Sequence, residues 1–350
     1  MVKLHFAGKM LASVMALSLF VALPLHAQSA SAESSKLNLT DLDYSAVSEA
    51  TGLKHHAWPA NTDAGRNARR SEISNIHDGA TARAAISESA TRYPGDLSFQ
   101  GGPVVEDAEF HPIYLYNTKN KCTSPACWGT PATFIGNLGV SEIIHVTDQY
   151  VHSTANDRYT LGGSFSHTIA NPSVTKPLTD TDMAAYAHAA ALSKGESGYH
   201  HVFHIFLPPG QDVCFTATDN QCYSPDNSST FVFCAYHSSA DFKDVGHVLY
   251  TVEPYQNVGG CQVESGTPNG ELVDSTASVL SHETIETITD PDGTAWWNST
   301  SNAMYGDEIA DECEFITTTS FDVPVFTVGS KSYGIQRQYD NKRHACTEAP

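Results

Sequence analysis

Eight cysteines, at positions 122, 127, 214, 222, 234, 261, 313 and 346, constrain this 350-residue chain more than any other feature. None forms a Cys-x-x-Cys pair, so a zinc ribbon is not expected, and behind an export signal such a set reads as disulfides. Eight cysteines allow 105 connectivities. Pairing neighbours joins Cys122 to Cys127, Cys214 to Cys222, Cys234 to Cys261, and Cys313 to Cys346. The last pair would tie an acidic turn at Glu308 to the C-terminus.

The export signal is residues 1–32. Lys3 and Lys9 give a positive start, Leu11 to Leu23 is apolar but short for a membrane span, and Ala30-Ser31-Ala32 is a small-x-small cleavage site, with Leu25-His26-Ala27 as a second. The mature protein is therefore expected to be secreted, with no membrane span. The formal charge of −20 speaks against nucleic acid and anionic membrane surfaces as partners, and the 17 histidines would add positive charge below about pH 6.

Residues 33–98 are rich in Ser, Ala, Thr and Asn and read as a low-complexity linker or pro-segment. Asp41 to Thr51 and Ala80 to Thr91 suit short helices, and Arg69-Arg70 is a dibasic processing motif. The ordered domain is expected over 99–350. Its strands are read at Ile113 to Tyr116, Tyr199 to Leu207, Phe231 to Tyr236, Val248 to Val252 and Lys331 to Tyr339, from aromatic and β-branched content. Asp180 to Leu192 is an alanine-rich helix. The fold class is α+β, a single domain with a mixed sheet, long enough for one sizeable core.

Chemistry concentrates between Ser278 and Cys313. A helix there brings His282 and Glu286 onto one surface with Glu283 beside them, while Ala277, Leu280, Ile285 and Ile288 face a core. Asp290-Pro291 ends it. His-Glu-x-x-Glu is one residue away from His-Glu-x-x-His, in which the outer pair binds zinc and the inner glutamate activates water. Replacing the second histidine with Glu286 makes the set harder and more anionic, so zinc, the expected cation, is no longer the one reasonable metal, and calcium is the second. Glu308 is expected as third metal ligand, Glu283 as catalytic base, and Asp311 and Asp290 as supports of the site. A solvated or buried polar helix face is the plain alternative.

Other chemistries fit less well. Gly162-Gly163-Ser164 lacks the second glycine of a nucleophile elbow. Glu283 and Glu308 could serve as a glycosidase pair, and His200 and His204, on one strand face, could be ligands. Trp296-Trp297 could stack a sugar or line a cleft, with core packing as the equal alternative. Asn38, Asn227 and Asn298 begin glycosylation sequons.

Several pieces resemble the phosphate-induced, Exordium-like family and its microbial relatives. They are Gly101-Gly102-Pro103-Val104, Thr147-Asp148-Gln149-Tyr150, Phe233-Cys234-Ala235-Tyr236-His237, Tyr250-Thr251 to Cys261, Ser281-His282-Glu283 to Pro291, Glu308-Ile309-Ala310-Asp311 to Cys313, and Ala345-Cys346. The resemblance implies secretion and a shared domain over 101–350. A second likeness, to zincin metallopeptidases, implies a sheet ahead of a metal helix with a later glutamate as third ligand. The expected function is a secreted metal-dependent hydrolase, a metallopeptidase acting on a protein or peptide. The alternative is a non-catalytic extracellular or cell-wall binding module with a structural cation.

Overall fold

The computed structural model describes residues 35–36, 42–65, 95–169, 176–218, 220–300, 304–314 and 323–350. The signal segment 1–32, Asn38, Arg69-Arg70 and the helix expected at Ala80 to Thr91 lie outside the described residues. Ala32–Pro350 is one compact unit.

A mixed eight-stranded sheet runs through its centre. The strands are β1 (Ser35–Lys36), β2 (Thr51–Pro59), β3 (Ala108–Tyr116), β4 (Tyr159–Leu161), β5 (Phe165–Thr168), β6 (His201–Phe206), β7 (Phe233–Phe242) and β8 (Gly246–Glu253). Their spatial order is β1-β5-β3-β6-β8-β7-β2, and β4 pairs with the first half of β3. The pairings from β1 through β8 are parallel, whereas β8 with β7 and β7 with β2 are antiparallel.

Parallel strands are stable only with both faces covered. Helix α1 (Asp180–Lys194) covers one face, held at its start by a reciprocal cap between Thr179 and Asp182. On that face Ile113, Phe203, Ile205, Tyr236 and Tyr250 pack with Met183, Ala187 and Ala191 of α1. Helix α2 (Glu271–Thr289) covers the other face. There Phe110, Tyr114, Val202, Phe206 and Leu249 pack with Ala277, Leu280, Ile285 and Ile288, the four residues expected to face a core.

The helix α2 ends at Asp290 as expected, with the Asp290 Oδ1 accepting from the amides of Thr294 and Ala295 at 2.6 Å each. Its other side is not open: every residue from Asp274 to Thr289 is buried. The three threonines near its end tolerate this because Thr284, Thr287 and Thr289 each donate to the carbonyl four residues back.

All four neighbour disulfides form: Cys122 to Cys127, Cys214 to Cys222, Cys234 to Cys261, and Cys313 to Cys346. The segment read as linker or pro-segment needs correction, because its residues 51–59 are strand β2 of the sheet. Two histidines in that strand break the apolar pattern, so composition conceals it. The strand expected at Lys331 to Tyr339 is divided into Lys331–Gly334 and Gln338–Asp340, and the break presents Gln336 to the underside of α2. Among the described residues no helix is long and apolar enough to cross a membrane.

Candidate metal centre

Residues alternate faces along a strand. On β2 this sends His56 and Trp58 toward α2, and on β7 it sends His237 there. His56 and His237 are direct cross-strand partners, with their rings stacked 4.9 Å apart. Below α2 they meet four residues of that helix and its end, His282, Glu283, Glu286 and Asp290, together with the turn carrying Glu308 and Asp311.

The donors form a connected series. Glu308 Oε1 lies 2.6 Å from His56 Nδ1, and its Oε2 lies 3.7 Å from His237 Nε2. On the far side of that ring, His237 Nδ1 is 3.3 Å from Glu283 Oε2 and 3.7 Å from Glu286 Oε2. Glu286 Oε2 is in turn 3.0 Å from His282 Nε2, which lies 3.7 Å from Asp311 Oδ1. Three overlapping sets, His56 with His237 and Glu308, His237 with Glu283 and Glu286, and His282 with Glu286 and Asp311, each keep their ligand atoms within 4.8 Å.

His282 is oriented by its neighbours. Gln336 Nε2 donates to the carbonyl of Ala310, which leaves Gln336 Oε1 to accept from His282 Nδ1 at 3.0 Å. The proton is thereby held on Nδ1 and Nε2 faces the carboxylates, the arrangement that metal-ligating histidines use. The indole of Trp58 stacks on the face of the ring, 4.7 Å away and 8° from parallel.

The helical spacing brings His282 and Glu286 together as expected. The third donor beside them is Asp311, whereas Glu308 turns toward the two strand histidines. The cause is local: the Asp311 amide donates to Glu286 Oε1, and Asp311 Oδ2 accepts from the Glu308 amide, which pins the turn one residue group further along. Glu283 Oε1 and Asp290 Oδ2 are buried without a hydrogen-bond partner. The ring of His237 lies between Glu283 and Glu308, where a glycosidase would need room for a sugar.

Burial and close approach set the ionisation of this cluster. Burial first, and then mutual repulsion, pushes Glu286 and Asp290 up to about 7, and Glu283 and Glu308 well above the usual carboxylate range. Burial lowers His237 to about 3, with the nearby His282 adding to the shift. At His282 burial also opposes the charged form, but Glu286 and Asp311 outweigh it and raise the ring to about 9. Among the described residues no lysine or arginine pairs with Glu283, Glu286, Glu308 or Asp290. The charge on His282 offsets only part of the repulsion among these buried carboxylates, and a divalent cation is a partner that turns the remainder into coordination.

His56, Trp58, His237 and Gln336 were not visible as site residues in the sequence. The run His55-His56-Ala57-Trp58 holds the one usable signal, since alternation puts a histidine and a tryptophan on the same face. The strand pair His200 and His204 does not form a site. His200 is exposed and pairs with Asp107, while His204 is buried and donates from Nδ1 to Thr251 Oγ1, whose hydroxyl in turn donates to Glu253 Oε1. Trp296 packs against Tyr150 and Phe99 rather than standing in a cleft. The sequon residue Asn298 is fully buried and donates to Glu312, so it offers no glycosylation site in the folded chain.

Comparison with protein-family models, with curated proteins and with solved structures found no match. The likeness to the Exordium-like family therefore rests on the sequence pieces that carry it.

Proposed function

We propose that this protein is a secreted metal-dependent hydrolase of zincin-like design, a metallopeptidase whose centre lies beneath α2. The observation that carries the reading is the convergence of His282, Glu286 and Asp311, with His237, Glu283 and Glu308 adjoining, where among the described residues no lysine or arginine pairs with Glu283, Glu286 or Glu308. His282, Glu286 and Asp311 hold the ion in this reading, and Glu308 with His56 and His237 forms a second set of donors beside it. Mixed imidazole and carboxylate donors suit zinc best, with manganese or iron next. A bound ion of this kind makes water more acidic and polarises a carbonyl group. Glu283 takes the water's proton at Oε1, the oxygen that its contact with His237 leaves open, and His237 steadies the carboxylate. Asp290 holds the loop after α2 through two amides, and its second oxygen is buried without a hydrogen-bond partner.

A second reading has its own observation. His56, His237, His282, Glu283, Glu286 and Glu308 are all less than a tenth exposed, which suits a structural cation in a non-catalytic extracellular binding or signalling module. Calcium, which prefers oxygen donors, would then be the ion. The four disulfides and the export signal fit either reading.

Elemental analysis of the purified mature chain, beside the His282→Ala, Glu286→Ala double variant, separates the readings. About one zinc, manganese or iron per chain, lost in the variant and accompanied by peptide cleavage, supports the hydrolase. Calcium without turnover supports the structural module. No metal in either protein removes both.

A further inference from the structure

A second group of donors lies on the opposite face of the sheet, beneath α1 and away from the centre described above. Strands β3 and β6 are parallel neighbours with Glu109 opposite His201, so Glu109 and His111, two residues apart, share a face with His201. The loop after α1 brings Glu196 to the same point. His111 Nε2 lies 3.0 Å from His201 Nδ1, 3.7 Å from Glu196 Oε2 and 3.8 Å from Glu109 Oε2.

The tautomer of His111 is fixed by chemistry. Its Nδ1 lies 3.1 Å from the carbonyl oxygen of Gly163, which can only accept, so Nδ1 carries the proton. The Nε2 lone pair of the neutral ring is then directed at His201 and the two carboxylates. A metal-binding histidine commonly donates its other ring N–H to a backbone carbonyl in this way. The ring is fully buried, and the backbone at Gly162 presses on it: a Cβ there would stand 2.3 Å from His111 Cε1.

The spacing also suits an ion. Two donors bound tetrahedrally to zinc at 2.0–2.1 Å stand about 3.4 Å apart. The observed separations of 3.0, 3.7 and 3.8 Å fall on both sides of that value, and those to the carboxylates are too long for direct hydrogen bonds. Glu196 Oε2 is buried without a hydrogen-bond partner.

The geometry points to a second divalent-metal site formed by His111, His201 and Glu109, whose ligand atoms all lie within 4.8 Å of one another, with Glu196 beside His111 and zinc as the ion the donors fit best. It cross-links two neighbouring strands next to the loop that follows α1. The site stands independently of the proposed hydrolase centre.

The test is zinc titration of the chelator-stripped, full mature chain against a chromophoric competitor. The variant is Glu109→Gln with Glu196→Gln, whose side chains are 51% and 28% exposed and whose replacement leaves the core intact. The wild-type chain should bind one more zinc equivalent than this variant, or bind that equivalent at least tenfold more tightly. The His282→Ala, Glu286→Ala chain should keep the equivalent that the glutamine variant loses. Unchanged stoichiometry and affinity in the glutamine variant overturn the site, as does a His201→Asn chain that binds zinc like wild type. The wild-type comparison stands even where the His282 variant fails to fold.

Discussion

Trp58 and His282 stack face to face, 4.7 Å apart and 8° from parallel, joining an edge strand near the N-terminus to the motif helix more than two hundred residues later. Strand β2 therefore does more than extend the sheet. It supplies one wall of the candidate centre through Trp58 and a donor through His56. Trp58→Ala removes a fully buried indole and should cost about 3–5 kcal/mol in denaturant unfolding. It should also weaken metal binding by about 10-fold or more through the loss of ring support. Trp58→Phe should recover most of both, because a smaller ring still stacks. Full metal affinity in the alanine variant would separate β2 from the centre.

Glu283→Gln keeps the shape of the side chain and removes its basicity. The variant should retain the metal content of the wild type and lose peptide cleavage by about 100-fold or more. Metal analysis and a turnover assay on the same preparation check it. Unchanged turnover would exclude Glu283 as the base.

Cys313 closes the turn that begins at Glu308 and is bonded to Cys346, 33 residues further on. A loop of that length corresponds to about 4 kcal/mol of chain entropy removed from the unfolded state. Cys346→Ser in a Cys313→Ser background should lower stability by a comparable amount. It should also loosen the Glu308 and Asp311 donors and weaken metal binding. Loss of stability with unchanged metal affinity would show that the turn is held by Glu286 and Gln336 alone.

A pH-dependent contribution comes from Asp292 and His247, whose Oδ1 and Nε2 lie 3.1 Å apart. Burial raises the pKa of Asp292, but hydrogen bonds from His247, Ser239 and Tyr199 outweigh it and hold the carboxyl at about 2. His247 is raised: burial opposes its charge, and Asp292 and Asp241 prevail. For the lowered carboxylate, stabilisation is complete above the ordinary value of 3.8 and is lost as pH falls toward 2. For the raised histidine it is complete below 6.5 and is lost as pH climbs through the folded value. The stability difference between wild type and Asp292→Asn should therefore peak between about pH 4 and 6.5, at about 2 kcal/mol, and shrink on both sides. A flat difference across that range would refute the coupling.

Local patterns fixed much of this protein. Helical spacing alone put His282 beside Glu286 and turned Leu280, Ile285 and Ile288 to the core, because neighbours three and four apart share a surface whatever lies around them. Proline after Asp290 ended the helix, and the four neighbour disulfides formed as their spacing suggested. What no local pattern holds is which distant elements meet. The pairing of β7 with β2 put His237 against His56, the turn at Asp311 displaced Glu308 from the expected set, and the break after Gly334 delivered Gln336 to His282. These depend on strand order and on packing across the sheet, long-range relationships that leave no periodic trace in the chain.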